Sequence, residues 1–174
     1  MLGALFWRFG LERRSGMSAT RDEMDLRILG RLQQNALLTA DELAQDLPLS
    51  PSAIARRIRR LRETGVIAGD VAVLSDAVGP FLSAFVHIQL DRHALVQVEA
   101  LRRRLTSSIH VQLFMEISGG FDVVLLVTVA DMEAFNAFAD AELAGDPVVR
   151  RYETSFVKKR RKLSLALPIM AERA

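Results

Sequence analysis

The stretch LSPSAIARRIRRLRETGVI, residues 49–67, places five arginines between Arg56 and Arg62 in a chain whose formal net charge is only +2. Ser50 is a good N-cap, Pro51 suits the first helical position, and Gly65 supplies a C-terminal stop, so the segment reads as one helix. Ile54, Ile58 and Leu61 recur at i, i+4 and i+7. At 100° per residue they fall on one side, with Ser52, Arg56, Arg59 and Arg60 broadly opposite and Arg57 and Arg62 at the boundary. Glu63 is the only carboxylate within this helix. A cationic face therefore explains the arginines better than a surface helix laced with local ion pairs.

The chain before this helix repeats the punctuation. Thr20 and Glu23 have the form of a capping box, and Met24, Ile28, Leu29 and Leu32 follow at helical spacing, which predicts a first helix to about Gln34. The NALL stretch breaks that pattern. Thr39 and Glu42 repeat the capping signal, Leu43, Ala44 and Leu47 give a short apolar face, and Pro48 ends a helix of about two turns. Helix, helix, tight turn and basic helix is the arrangement that sets a recognition helix into a DNA major groove. Small residues at its start let the backbone approach, and arginines reach phosphates and guanine edges.

After Gly65 the period changes. VIAGDVAVL (66–74) is apolar and strand-like, and a linker strand is expected over 69–80, up to the Gly79-Pro80 break. The order then reads strand 81–90, helix 94–106, strand 109–117, an SGGFD turn, strand 122–130, helix 131–143 and strand 148–158. This βαββαβ order predicts an antiparallel four-stranded sheet with both helices on one face.

Composition narrows the function. The 174 residues contain no cysteine, which excludes disulfide scaffolds, thiolate zinc sites and thiol nucleophiles, and half are apolar, enough for a packed core. His87 lies within an apolar strand, His93 begins a helix and His110 begins a strand, with no second ligand at a metal-binding spacing. No phosphate loop, nucleophile motif or carboxylate pair is present, so no catalytic residue, metal or cofactor is assigned. The apolar opening MLGALFWRFG lacks a basic leading region and is too short to span a bilayer, so neither a signal peptide nor a membrane partner is expected. A cytoplasmic location is the simplest fit. Met17 stands just ahead of the first punctuated helix as an alternative start. A second basic cluster, KKRRK at 158–162, reads as a solvated tail, with a sequence-blind contact to wrapped DNA as its alternative role.

The stretch from Met24 to Leu74, together with SGGFDVVLLVTVADMEAFNAF (118–138) and VVRRYETSFVK (148–158), resembles the Lrp/AsnC, or feast/famine, family of transcriptional regulators over roughly residues 21–169. The resemblance implies an α+β chain: an N-terminal extension (1–19), a three-helix, winged-helix-like helix-turn-helix domain (20–68), a linker (69–80), a ferredoxin-like effector and oligomerisation domain (81–160) and a tail (161–174). It implies double-stranded DNA as partner, with Ser50, Pro51, Ser52 and Ala53 opening the recognition helix and Arg57 and Arg60 at usually basic positions; the helical wheel adds Arg56 and Arg59. It further implies a homodimer assembling into tetramers or octamers, and a small effector, expected to be an amino acid, at Gly119, Gly120, Phe121 and Asp122, with Thr154 and Ser155 lining the same cleft. Two positions depart from the family pattern: Pro48 stands where many members have glycine, and Leu37 where a basic residue is frequent.

Two other readings are open at this level. One is a haem-precursor decarboxylase that keeps the helix-turn-helix as scaffold, which the intact basic face and the absence of a His/Tyr/Arg cluster disfavour. The other is an architectural protein that wraps DNA without regard to metabolites.

Overall fold

A computed structural model describes residues 22–91 and 94–169, which divide into two compact units: residues 22–73 with 162–169, and Leu74–Arg161. The proposed Thr20 cap, the helix start at His93 and the N-terminal extension lie outside the described residues.

The first unit holds α1 (Glu23–Leu32), α2 (Ala40–Asp46) and α3 (Pro51–Glu63). The cap of α1 is Asp22, not Thr20: its carboxylate accepts from the Asp25 amide at 2.8 Å and so starts the helix at Glu23. Helix α2 has both bonds of the Thr39–Glu42 capping box, and α3 has Ser50 accepting from the Ala53 amide ahead of Pro51. Between them the backbone turns without a left-handed residue. Leu47 is extended (φ −116°, ψ 139°), as the residue before a proline should be, and the Leu49 amide donates to the Leu47 carbonyl at 2.7 Å. Pro48 is thus accommodated where glycine was the family expectation. Gly65, at φ +72°, ends α3 in a conformation that glycine adopts at little cost. Ile28, Leu32, Leu43, Leu47, Ile54 and Ile58 form the core.

Residues 66–75 form no strand. Their apolar alternation is real, and Val71, Val73 and Leu74 are exposed, but a strand exists only beside a hydrogen-bonded neighbour and the described residues offer none. The expected linker strand is replaced by irregular chain with a 3₁₀ turn at Asp76–Val78.

The second unit has the order β1 (Leu82–Leu90), α4 (Leu95–Ser107), β2 (Val111–Glu116), β3 (Val123–Val129), α5 (Met132–Ala139) and β4 (Val149–Phe156). The sheet order is β2-β3-β1-β4, antiparallel at every pairing, which is the ferredoxin-like topology. Ala84, Val86, Ile88 and Leu90 alternate inward with Val123, Leu125, Val127 and Val129. They meet Val98, Leu101 and Leu105 of α4 and Phe135, Phe138 and Leu143 from α5 and its extension, so both helices cover one face. The helix expected to run to residue 143 widens into a π-helical turn at Asp140–Ala144. Arg104 closes its end, donating to the Glu142 carboxylate and carbonyl and to Asp146. On the opposite face Phe85 and Met115 are exposed, and Leu113, Val124 and Leu126 are only partly covered.

Beyond β4 the basic cluster at 158–162 is exposed, as expected of a solvated tail. Residues 162–169 belong to the first unit, where the Gln33 side-chain amide brackets Leu167, donating to its carbonyl and accepting from its amide, both at 2.9 Å. One primary amide thereby satisfies both polar groups of a backbone position, as a neighbouring strand would.

Candidate nucleic-acid interface and effector turn

Helix α3 buries Ile54, Ile58 and Leu61 and leaves Ser52, Arg56, Arg59, Arg60 and Arg62 exposed, the two faces expected from its spacing. Ser50, Pro51 and Ser52 are exposed at its N-terminus, with the two serine hydroxyls 3.1 Å apart, and Ala53 is half-buried. The arginines, however, divide into two classes. Arg57 donates to Asp22 at 2.6 Å and to Asp25 at 2.9 Å, Arg60 donates to the other oxygen of Asp25, and Arg62 pairs with Asp70 at 2.9 Å. Arg56 and Arg59 have no ion-pair partner among the described residues.

The scarcity of acids within α3 therefore misled: the carboxylates come from α1 and from the chain after α3. A signal was available. Asp25, Ile28 and Leu32 stand at i, i+3 and i+7 and are the buried residues of α1, so a carboxylate occupies the apolar stripe of that helix. A buried carboxylate requires charge partners, and Asp25 is only 1% exposed. Two guanidinium groups supply them, locking α3 against α1. The amide of Asp25 and then Arg57 hold the Asp22 carboxyl below its ordinary value of 3.8, and the carboxylates of Asp22 and then Asp25 raise the Arg57 pKa. Arg56, Arg57 and Arg60 together line an open depression, a cationic cradle of the kind a phosphate fills. Leu37, at the other family departure, is 88% exposed and contributes no charge.

In the second unit the SGGFD turn joins β2 to β3. Gly119 has φ +152°, a region side chains rarely adopt, and nothing lies within 4 Å of where a Cβ on Gly119 or Gly120 would stand. Asp122 is built into the sheet: its amide donates to the Ile88 carbonyl at 2.9 Å and its carboxylate accepts from the Leu90 amide at 2.8 Å, where β1 shifts register between Gln89 and Leu90. The carboxylate expected to await an ammonium group already clips this edge. The Phe121 ring lies 5.5 Å from His87, with the Arg151 guanidinium 5.9 Å from its centre. Neither His87 nor Arg151 was among the candidates, because they come from two other strands and meet Phe121 only in the folded sheet.

Thr154 and Ser155 do not join this group. Thr154 pairs with Val86 and faces the helices, whereas Ser155 pairs with Phe85 and faces outward. They lie on opposite faces, two to three positions from Ile88, roughly 7–10 Å along the strand. No group of three or more His, Cys, Asp or Glu capable of holding a metal occurs among the described residues, and no helix there is long and apolar enough to cross a membrane.

Known proteins share this arrangement. Residues 21–68 match the winged helix-turn-helix DNA-binding family and residues 83–167 the Lrp/AsnC ligand binding domain family. An uncharacterised HTH-type transcriptional regulator of Haemophilus influenzae is 35% identical over 83% of this chain and 86% of its own length. The Bkd operon transcriptional regulator of Pseudomonas aeruginosa is 30% identical over 87% of this chain and 99% of its own. Among solved structures, a transcriptional regulator of Neisseria meningitidis in complex with L-Met superposes with TM-score 0.77 at 31% identity, covering 85% of this chain and 96% of that one. A feast or famine regulatory protein of M. tuberculosis complexed with L-methionine gives TM-score 0.72 at 31% identity over 84% and 98%. A helix-turn-helix with a basic third helix in one unit, a ferredoxin-like sheet in the other and these matches across both lead to one assignment: the chain belongs to the Lrp/AsnC family of DNA-binding transcriptional regulators, not to an enzyme family.

Proposed function

We propose that this protein is a cytoplasmic, sequence-specific regulator whose α3 enters the major groove, whose dimers read half-sites about one helical turn (roughly 34–36 Å) apart, and whose assembly responds to an amino acid. The observation that carries the DNA reading is the exposed pair Arg56 and Arg59, which have no ion-pair partner among the described residues, on the face opposite Ile54 and Ile58. Ser50, Pro51, Ser52 and Ala53 present the helix start to the phosphate backbone, where the positive end of the helix dipole favours an anion. Arg57 and Arg60 stand beside them with their outer charge shared by α1. The uncovered sheet face around Phe85, Met115 and Leu126 supports self-association, since apolar surface of that kind is commonly buried by a partner. The amino-acid reading draws on the L-Met and L-methionine complexes of two relatives and on the turn at Gly119, Gly120, Phe121 and Asp122. In this reading Asp122 shapes the turn, and of Thr154 and Ser155 only the outward-facing Ser155 is accessible from the open sheet face.

A footprinting titration on DNA upstream of the protein's own and neighbouring genes, near physiological salt, with and without L-methionine and then the remaining amino acids, tests both parts. Phased protection that changes with an amino acid is the expected result. Arg56→Ala and Arg59→Ala each weaken protection by about 1–3 kcal/mol if the arginine reads a base, with the fold intact. Unchanged affinity in both variants would remove α3 from the groove. Phased protection indifferent to every amino acid would leave the DNA reading standing and remove the effector.

A further inference from the structure

The charges around Asp25 exceed what burial demands. Asp25 is the only buried carboxylate of the group, and Arg57 and Arg60 already satisfy both of its oxygens. Those three residues alone carry a net charge of +1 at the edge of α3. Asp22, with a half-exposed side chain, brings the sum to zero by accepting from Arg57 at 2.6 Å with the oxygen that does not cap the helix. The capping bond to the Asp25 amide needs only a neutral acceptor, which asparagine or serine would provide equally well. The negative charge of Asp22 is therefore surplus to capping and to burial alike. It acts on Arg57, one of the three arginines lining the cationic depression.

We propose that Asp22 is a specificity-determining residue: by cancelling the positive charge that the Asp25–Arg57–Arg60 cluster would otherwise carry, while Arg57 stays bonded to Asp25, it withholds one sequence-blind phosphate contact from DNA and leaves discrimination to Arg56 and Arg59. The proposal rests on the reading that α3 enters the major groove. A free arginine adds affinity on any duplex, because every duplex offers phosphates. It adds most in non-specific complexes, where the protein shifts along the backbone to the best phosphate geometry. In the specific complex base contacts fix the register, and Arg57 must take whatever phosphate stands nearest. Tethering Arg57 thus lowers non-specific binding more than specific binding and raises the ratio between them, which decides occupancy against a genome of competing sites.

The test uses the full chain carrying Asp22→Asn, with Asp22→Ser as a second capping-competent variant should the first fold poorly. Binding to a footprinted operator fragment and to a scrambled duplex of equal composition is followed by fluorescence anisotropy across a salt series. Asp22→Asn should tighten binding to the scrambled duplex about threefold to tenfold near 100 mM salt and steepen its dependence on log salt by about 0.9, the increment of one phosphate contact. The operator should gain less, so the specificity ratio falls. Glu63→Gln is the charge control: it removes one negative charge from α3 itself, whereas Asp22 caps α1, and Glu63 has no ion-pair partner among the described residues. If Glu63→Gln reproduces the gain and the slope, Asp22 acts through net charge alone and the proposal fails. It fails equally if the gain survives in the double variant Asp22→Asn with Arg57→Gln, or if Asp22→Asn changes neither duplex while Arg56→Ala and Arg59→Ala weaken operator binding. Should those two arginine variants leave operator binding unchanged, the groove reading falls and takes this proposal with it.

Discussion

The two units solve the problem of fixing helices by different physics. In the second, sixteen buried apolar residues, drawn from β1, β3, α4, α5, the π-helical turn and Val148, form one core, and its charged cluster at Arg104 sits at the surface end of a helix. In the first, six buried apolar residues must orient three helices. A core that small leaves α3 free to rotate or slide at little cost, since apolar contact is non-directional. The buried Asp25 supplies direction: a carboxylate gripped by guanidinium groups at 32 and 35 positions along the chain admits one rotation of α3 against α1. The effector unit is held by area, the DNA-binding unit by area plus geometry. In the latter, the residues that stabilise the fold are drawn from the same arginine run that forms the exposed basic face of α3.

Breaking each core in its own currency sharpens that contrast. Leu125 is fully buried at the centre of the sheet, and Leu125→Ala should cost about 3–4 kcal/mol, through lost transfer energy and the cavity left behind. Hydrogen exchange read by mass spectrometry should show protection lost across β1 and β3 and retained in α1 and α3. Asp25→Ala should cost about 2–3 kcal/mol, at or below the low end for a broken buried pair, because the abandoned Arg57 and Arg60 are 24% and 51% exposed and regain water. Protection should then fall in α1 and α3 alone. A loss in Asp25→Ala below about 0.5 kcal/mol, the range of a surface pair, would show that the six apolar residues suffice and that the ion pairs are ornamental.

What could be read in the sequence follows the range of the forces involved. Helices α2 and α3 and the βαββαβ order were legible because capping boxes, Pro51, Gly65 and alternating strands are signals within a few residues of each other. The cap of α1 was assigned to Thr20 because Ser, Thr and Asp compete for that role, and only geometry shows Asp22 bonded to the Asp25 amide. The linker at 66–75 has the alternation of a strand but lacks a neighbour to pair with. The division of the arginines was not legible from α3 alone, since its acids stand in α1 and at Asp70. Asp25 on the stripe of Ile28 and Leu32 was the one local clue. At the SGGFD turn the glycines and Asp122 were visible, while His87 and Arg151 required the sheet register to bring them to Phe121. The bracket between Gln33 and Leu167 spans 134 positions and leaves no trace in either segment.

Acid offers a gentler way to separate the units. Hydrogen bonds from the Asp25 amide and Arg57 lower the pKa of Asp22 from its ordinary 3.8, and those from the amide and then the hydroxyl of Thr39 lower that of Glu42 from 4.5. Both groups belong to the first unit. A carboxyl whose pKa is lower in the folded chain binds its proton more readily when unfolded, so its contribution is complete above the ordinary value and is lost as pH falls through it toward the folded value. The denaturation midpoint of α1–α3, followed by exchange, should therefore hold steady from pH 7 to about 5 and decline below about 4.5, first through Glu42 and then through Asp22. Asp22→Asn should remove the lower part of that decline and leave the upper part, because asparagine keeps the cap but has no proton to gain. If the variant declines over the whole range as the parent does, Asp22 is not held by Arg57 in solution, and the neutral cluster at the edge of α3 does not exist there.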